Sequence, residues 1–368
     1  MHIGGNKSSC SVLKVHGTEM EDVEHDIYLG DVISNDGKNK LNIEKRISKG
    51  LGIISQIMNI LDIITFGSHY IEVALLLRES MFINGILFNS EVWYGLSRAE
   101  MNDLEDLDRT LLRRILSVPV TTPKEALYLE LGLIPISEII RIRRIMYLHH
   151  LVTRGENKML YQFFITQWMK PNKGDWTETI KEDLKEYNIS EDLDYIKSKS
   201  KYSFKNLVKK RGKEYTLGKL LLQKEKHSKM RNLEYSELII QECYLLPGLR
   251  VDQARNIFKF RTRMAQFGEN YRGNKDNILC PLCHQGPDNQ NHCFKCEIVT
   301  EKIDVKGVDM DDIYTNNISI QTSEILTKIL ELRKNILEGE QVKKQQANEA
   351  QVHPTRSAAS NTAPCMYY

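Results

Sequence analysis

The stretch NIEKRISKGLGIISQIMNIL, residues 42–61, carries the pattern that decides the fold class. Its apolar residues recur every three or four positions, at Ile43, Ile47, Leu51, Ile54, Ile57 and Leu61. This spacing places them on one face of an α-helix, where they can be buried against other helices. Similar spacing continues to Arg154, so the sequence predicts a mainly α-helical protein whose first large part is a helical bundle.

Start and stop signals place individual helices in this region. Ser97 followed by Glu100 is the pattern of a capping box at a helix start, and we expect that helix to end before Pro119. Pro123 starts a short element that Pro135 ends. The run IIRIRRIMYLHHLVTR at residues 139–154 then predicts an amphipathic helix that carries several arginines.

The first 37 residues have a different period. Alternating β-branched residues run to Ser34, and Asn35-Asp36-Gly37 is a turn signal, so we expect a short β-hairpin. The sequence thus predicts the following divisions: a hairpin at 1–37, a helical bundle at 38–154, a linker or connector at 155–196, a basic helical region at 197–275, a metal-binding segment with a terminal helix at 276–338, and a disordered tail at 339–368.

Length and composition exclude several classes of protein. The 368 residues are enough for about two domains, and 41% hydrophobic with 27% charged residues is ordinary globular usage. No apolar run reaches the ~18 residues of a membrane span, and the N-terminus lacks the order of a signal peptide. We therefore expect an intracellular protein, in the nucleus or the cytoplasm, which is not secreted and has no membrane partner.

Charge is distributed unevenly along the chain. Residues 197–231 hold thirteen Lys or Arg against two acidic residues, a net charge of +11, so the rest of the chain sums to −9 within a total of +2. A basic block of this kind indicates contact with a polyanion, although a solvated helix face has the same composition. Downstream, Arg255, Lys259 and Arg263 are spaced one helical turn apart, which predicts a second basic face.

Four of the seven cysteines lie within 17 residues, a clustering typical of metal binding in a reducing compartment. Cys280 and Cys283 are separated by two residues, so both thiolates can bind one metal. His292 and Cys296, four residues apart, would share one face of a helical turn and complete a tetrahedral set of three sulfurs and one nitrogen. Four protein ligands leave no open position, so the sequence predicts a structural zinc ion.

Alternatives to this ligand set stay open at the level of sequence. The fourth ligand can instead be Cys293, and His284 is a weaker rival, although both are less regularly spaced. The cysteines can also be free thiols.

The metal-binding segment also resembles that of a known family. Asp276-Asn-Ile-Leu-Cys-Pro-Leu-Cys283, followed by Asp288-Asn-Gln-Asn-His292 and Cys296, is similar to the C-terminal zinc-binding segment of non-LTR (LINE-like) retrotransposon reverse transcriptases. Residues 42–154, including Glu91-Val-Trp-Tyr94, resemble their thumb and connector. The resemblance covers roughly residues 1–335.

The resemblance extends to the N-terminal strands. Met1-His-Ile-Gly-Gly, Leu13-Lys-Val and Tyr28-Leu-Gly-Asp-Val-Ile-Ser34 look like the strands that follow the catalytic palm. The resemblance implies that Tyr28, Leu29 and Gly30 form a turn like that of the primer grip.

The catalytic motif of such polymerases is missing. They bind two metal ions through palm aspartates, including an aromatic-x-Asp-Asp turn, and no such turn occurs in this chain. Asp309-Met-Asp-Asp-Ile-Tyr314 has no flanking hairpin pattern, and we expect a surface turn or helix start there. We therefore expect a truncated chain with no catalytic residues and no polymerase activity of its own.

Three functions follow as hypotheses. The leading one is a reverse-transcriptase-like protein that binds the backbone of RNA or DNA through basic helices and a zinc segment. The candidate contacts are Lys209, Lys210, Arg211, Arg255, Lys259, Arg261 and Arg263. The second is a fragment of an active RNA-directed DNA polymerase, with the palm encoded upstream or supplied by a partner chain. The third is a zinc-stabilised protein-interaction module.

Overall fold

A computed structural model describes residues 14–19, 23–28, 30–63, 69–271 and 278–352. It confirms the mainly α-helical fold with short β-strands near the N-terminus. The helices are α1 Lys40–Ile63, α2 Tyr70–Leu77, α3 Asn84–Ile86, α4 Arg98–Leu116, α5 Lys124–Glu130, α6 Ile136–Thr153, α7 Met159–Met169, α8 Trp176–Glu186, α9 Leu193–Ser198, α10 Lys201–Lys224, α11 Val251–Arg261, α12 Gly268–Tyr271, α13 Gln290–Cys293, α14 Glu297–Lys302, α15 Met310–Tyr314 and α16 Ile320–Val352.

The strands form two small antiparallel hairpins. Strand β1 (Lys14–Val15) pairs with β2 (Thr18–Glu19), and β3 (His25–Tyr28) pairs with β4 (Asp31–Ser34). Gly30 has φ +91°, a conformation that glycine adopts without strain in the tight turn between β3 and β4. Residues 1–13 and Leu29, on which part of the family resemblance rests, lie outside the described residues.

The chain divides into two compact units. The larger unit comprises Met1–Ala265 and Met310–Ser323, and the smaller unit comprises Gln266–Asp309 and Glu324–Tyr368. These limits differ from the predicted divisions at 197–275 and 276–338. The string at Asp309–Tyr314 contains α15, and the buried Ile313 belongs to the core of the larger unit. Chain order therefore does not reproduce the packing.

Helices α1 and α4 pack closely in the larger unit. The buried face of α1 includes Ile43, Ile54, Ile57 and Leu61, as the periodicity predicted. The prediction is wrong for Leu51, which is 53% exposed, because Gly50 lies at the contact in its place. A Cβ built at Gly50 would lie 2.3 Å from Cδ2 of Leu107 on α4, so any other residue at position 50 would require the Leu107 side chain to shift. The predicted capping box at Ser97 and Glu100 is confirmed, with both reciprocal hydrogen bonds present.

Residues 155–196 correct the predicted linker. They contain α7, α8 and α9, and buried residues from them join α6 and α10 in one apolar cluster. The members contributed by this segment are Phe164, Trp168, Ile180, Leu184, Tyr187, Ile189 and Ile196. The polar Pro-Asn-Lys-Gly-Asp string at 171–175 is only the short connection between α7 and α8, where Asp175 caps α8 by accepting the Glu178 N–H.

Buried ion pairs fix the helices of the larger unit. Arg78 donates two hydrogen bonds of 2.7 Å to Asp108, and Arg144 pairs with Asp183 at 2.7 Å. Glu130 on α5 accepts from Arg261 on α11 and from Tyr244. A buried carboxylate held by several donors makes its helices strongly dependent on one another, because removing a partner leaves an uncompensated charge.

The segment predicted as a disordered tail is corrected in part. Helix α16 continues through Gly339 to Val352, whereas residues 353–368 lie outside the described residues. The Glu, Gln, Lys and Ala residues that gave residues 340–352 a low-complexity composition are also good helix formers, so they can extend a helix that begins in a folded unit.

Candidate metal centre and basic groove

Four side chains converge in the smaller unit. The ligand atoms of Cys280, Cys283, His292 and Cys296 all lie within 4.8 Å of one another. Sγ of Cys280 is 4.0 Å from Sγ of Cys296, and Sγ of Cys283 is 3.2 Å from Nε2 of His292. Two sulfurs bound tetrahedrally to one zinc ion lie about 3.8 Å apart. The predicted set can therefore hold one metal ion with little movement of its side chains.

The loop from Cys280 to Gly286 positions two of the sulfurs. The Cys280 N–H donates to the Gly286 carbonyl at 2.7 Å, and the His284 N–H donates to the Cys280 carbonyl at 2.9 Å. Desolvation by itself would raise the pKa of the Cys283 thiol, but hydrogen bonds with the backbone N–H groups of Gln285 and Gly286 and with the side chains of His292 and Cys296 together lower that pKa to about 6. Donors aimed at a sulfur favour the thiolate, which is the form that binds metal.

His292 lies on the short helix α13, which Asn289 caps by accepting the His292 N–H at 2.8 Å. The helix ends at Cys293, and Cys296 is the extended residue that precedes α14. The prediction that His292 and Cys296 share one helical face is therefore wrong. Two short elements separated by a turn bring the imidazole and the sulfur to the same point.

Gly286 packs directly against the imidazole. A Cβ built at Gly286 would lie 2.2 Å from Cε1 and 2.8 Å from Nε2 of His292. Non-bonded carbon and nitrogen atoms do not approach this closely, so a side chain at position 286 would displace the ring from the other three ligand atoms.

The two rival ligands are placed outside the set. The Cys293 thiol is buried and donates to the Gln290 carbonyl at 2.9 Å, and burial raises its pKa. His284, at φ +56°, forms the turn after Cys283 and does not belong to the converging group. The geometry thus selects His292 and Cys296 among the alternatives that spacing left open.

Asp288 anchors the metal-binding loop. It pairs with Arg333 of α16 at 2.8 Å and accepts the Gly268 N–H at 2.7 Å. Arg333 also lies over the Phe267 ring, 4.3 Å from its centroid, and donates to the Gln266 carbonyl. Sequence analysis missed this role of Arg333 because its distance of 45 residues from Asp288 leaves no local signal.

The predicted nucleic-acid contacts are dispersed by the fold. Arg261 is 1% exposed and is held by Glu130 and the Ile313 carbonyl, so it belongs to the core and cannot reach a phosphate. Arg255 donates to the Ile115 carbonyl and to Tyr70. Arg263 donates to Tyr314, and burial together with Arg255 lowers the pKa of Lys259. Arg261 is therefore removed from the predicted contacts, whereas Arg255, Lys259 and Arg263 are half-buried and the basic face predicted from them stays a prediction.

Helix α10 separates the other three candidates. Lys209 is exposed and faces a groove, whereas Lys210 and Arg211 lie beside Glu214, at 4.0 and 3.2 Å. The three consecutive residues project about 100° apart around the helix and therefore do not form one surface.

A different row of cations lines the groove. Lys201, Lys205, Lys209 and Lys213 are exposed, lie four residues apart on α10 and line the groove together. The row is about 18 Å long, with successive lysines about 6 Å apart. Within the described residues, no carboxylate pairs with any of the four. The four-residue spacing of these lysines is visible in the sequence. The prediction of the consecutive residues Lys209, Lys210 and Arg211 did not use it.

The groove has a volume of about 960 Å³ and runs along α6 in the larger unit. The residues of α6 that line it include Ile142, Arg143, Met146 and His150. Arg143 donates to neutral acceptors, among them the Leu87 carbonyl and Oδ1 of Asn84, so its charge is not cancelled by a carboxylate bound to it. The acidic residues that line the groove are Glu79 and Glu91, against the four lysines and Arg143, while the remaining basic residue, Arg78, is paired with Asp108.

Comparison of the chain with protein-family models, curated proteins and solved structures finds no match. Within the described residues, no helix combines the length and the apolar character that crossing a bilayer would require. Function is therefore argued from the two sites themselves.

Proposed function

We propose that this protein binds nucleic acid through its phosphate backbone, with the lysine row of α10 as the principal contact. The carrying observation is that Lys201, Lys205, Lys209 and Lys213 share one face, line one groove and lack acidic partners among the described residues. Ordinary solvated faces alternate the two signs of charge, as Lys210 and Glu214 do on the far side of the same helix. A row of one sign suits a linear polyanion.

The resemblance to the C-terminal part of a non-LTR retrotransposon reverse transcriptase supports the same class of ligand. Under this proposal the chain is a reverse-transcriptase-like protein that holds RNA or DNA, and the chain itself carries out no polymerisation. The sequence has no aromatic-x-Asp-Asp motif, and a phosphoryl-transfer site needs carboxylates to align its metal ions. A polymerase completed by a palm-containing partner is the alternative that a primer-extension assay tests.

We propose further that the metal is zinc and that it is structural. Three sulfurs and one imidazole nitrogen are the donors that zinc prefers, and four protein ligands leave no position for a substrate. Bound there, the ion would crosslink the loop at Cys280, α13 and the start of α14.

The deciding experiment measures binding of fluorescent unstructured RNA and of a DNA–RNA hybrid by anisotropy, over a range of salt. If the four lysines neutralise four phosphates of a single strand, affinity should fall roughly fifty-fold between about 50 and 200 mM salt. Replacing Lys205, Lys209 and Lys213 by Gln should weaken binding and flatten that salt slope by about two units in the logarithmic plot.

The matched control replaces three exposed lysines of the larger unit that lie outside the groove, Lys170, Lys173 and Lys185, by Gln. Both triple variants lose the same charge, so only a localised site separates them. Equal weakening by the two variants, or no binding at low salt, would refute the proposal and favour the zinc-stabilised protein-interaction module.

A further inference from the structure

Apolar side chains form the floor of the groove below the lysine row. Residues of α6 at helical spacing line it, namely Ile139, Ile142 and Met146, and Leu133 and Ile134 continue the same surface. Two aromatic rings, Phe88 and Tyr147, also line it. Phe88 is 47% exposed, while Arg46 lies 5.8 Å from its ring centroid. Binding of phosphates alone does not require apolar and aromatic side chains on the same surface.

The row and the floor run side by side. His149 on α6 contacts the Lys199 carbonyl just before the row begins, and Ile142 lies against Gly212 near its end. Helices α6 and α10 are therefore antiparallel along the groove, and a ligand that follows the lysines passes over the apolar residues of α6. The 6 Å step between lysines is similar to the spacing of phosphates in an extended strand.

From this juxtaposition we infer that the groove binds single-stranded nucleic acid, with its phosphates on the lysine row and one or more unstacked bases on the floor at Phe88. This inference rests on the proposed backbone binding and adds the strand state of the ligand. A duplex keeps its bases stacked inside, so it contacts the lysines and leaves the floor uncovered. A single strand presents base faces, which stack on aromatic rings with little dependence on sequence.

The experiment compares three ligands of equal length: a single-stranded oligonucleotide, the same strand in a duplex, and the same backbone with abasic sites. The wild-type protein should bind the base-bearing single strand on the order of tenfold more tightly than the abasic strand at equal salt, because each stacked base contributes about that factor. The preference over the duplex should have the same sign.

Substitutions at Phe88 test the stacking itself. Phe88→Ala should remove the preference for base-bearing strands, whereas Phe88→Trp should retain the preference. Tyr202→Ala is the matched control, because Tyr202 is an aromatic residue of α10 that is 76% exposed and outside the groove, and it should retain the preference as well. Circular dichroism shows whether the variants are folded.

The possible failures are distinguishable. Equal affinity for the base-bearing strand, the abasic strand and the duplex, all weakened by the lysine substitutions, would overturn this inference and leave backbone binding in place. A preference that persists in Phe88→Ala would place the bases elsewhere and overturn it as well. No binding of any of the three ligands at low salt would remove the proposed function itself.

Discussion

Gly286 shows how one missing side chain protects a ligand. Because a Cβ at this position would lie 2.2 Å from Cε1 of His292, Gly286→Ala should displace the imidazole and lower metal affinity by about 10- to 100-fold. Competition with a chromogenic chelator measures that loss. Gly339→Ala is the control in the same unit, since a Cβ there has no atom within 4 Å. Equal affinity in the two variants would contradict the placement of His292 at the metal.

Cys283 and Cys293 provide the residue-scale test of the ligand set. Cys283→Ser should lose the metal and unfold the loop, because for such sites the binding free energy, about 10 kcal/mol or more, is also folding free energy. Cys293→Ser should retain the metal, since that thiol points to the Gln290 carbonyl. Metal analysis of protein purified without chelator decides between them. Loss of metal in Cys293→Ser combined with retention in Cys296→Ser would instead reassign the fourth ligand.

Arg261 and Glu130 show why a basic residue in a sequence is not always a surface charge. Arg261→Met would leave the Glu130 carboxylate buried without its cation, and we expect a loss of about 3–5 kcal/mol in the free energy of unfolding. Adding Glu130→Gln should recover part of that loss. Denaturant unfolding measures both. Variants that fold should bind nucleic acid like the wild type. A variant that keeps its free energy of unfolding but loses salt-dependent affinity would show that Arg261 contacts the nucleic acid.

At the scale of elements, periodicity predicted what lies inside a single helix. Three- and four-residue spacing predicted most of the buried face of α1 and the capping box of α4, but it wrongly buried Leu51 and missed Gly50. Composition misled in two segments. The polar string at 171–175 led to the prediction of a linker where α7 and α8 lie. The Gln-rich end led to the prediction of a disordered tail where α16 continues to Val352. Both errors have one cause: average polarity does not report whether the few apolar residues or good helix formers are placed for a helix.

The α6–α10 pair also carries a pH dependence. Burial, Arg154 and Lys201 lower the pKa of His150, which lines the groove beside His149. His150 is therefore neutral near pH 7 and gains its charge only below the usual value of about 6.5. Affinity for a polyanion should rise as pH falls through that lowered pKa, since a cation is added facing the phosphates. Anisotropy at constant salt should show this rise in the wild type and not in His150→Gln. A pH profile shared by both proteins would contradict it.

At the scale of the whole molecule, the candidate metal centre and the groove belong to different units. Spacing identified the four candidate metal ligands in the sequence, because they lie close together in the chain. The groove was not predictable, since it requires α3 and the neighbouring Phe88, α6 and α10 to meet across more than a hundred residues. Residues 197–231 and α11 belong to the larger unit, whereas the metal segment belongs to the smaller unit.

Because the two sites belong to different units, we expect loss of the metal to affect only one of them. All four candidate metal ligands lie in the smaller unit and all residues of the groove lie in the larger one. Removing the metal with a strong chelator should therefore abolish amide-exchange protection around 278–303, because metal binding and folding are linked there. Protection of α6 and α10 should persist, since their shared core includes Leu148, Phe204 and Val208 and contains no metal ligand. Affinity for single-stranded RNA should fall by less than about twofold.

A large loss of affinity on chelation, restored by zinc, would show that the metal segment itself holds the strand. Binding that survives chelation and still depends on Lys205, Lys209 and Lys213 would assign recognition to the groove.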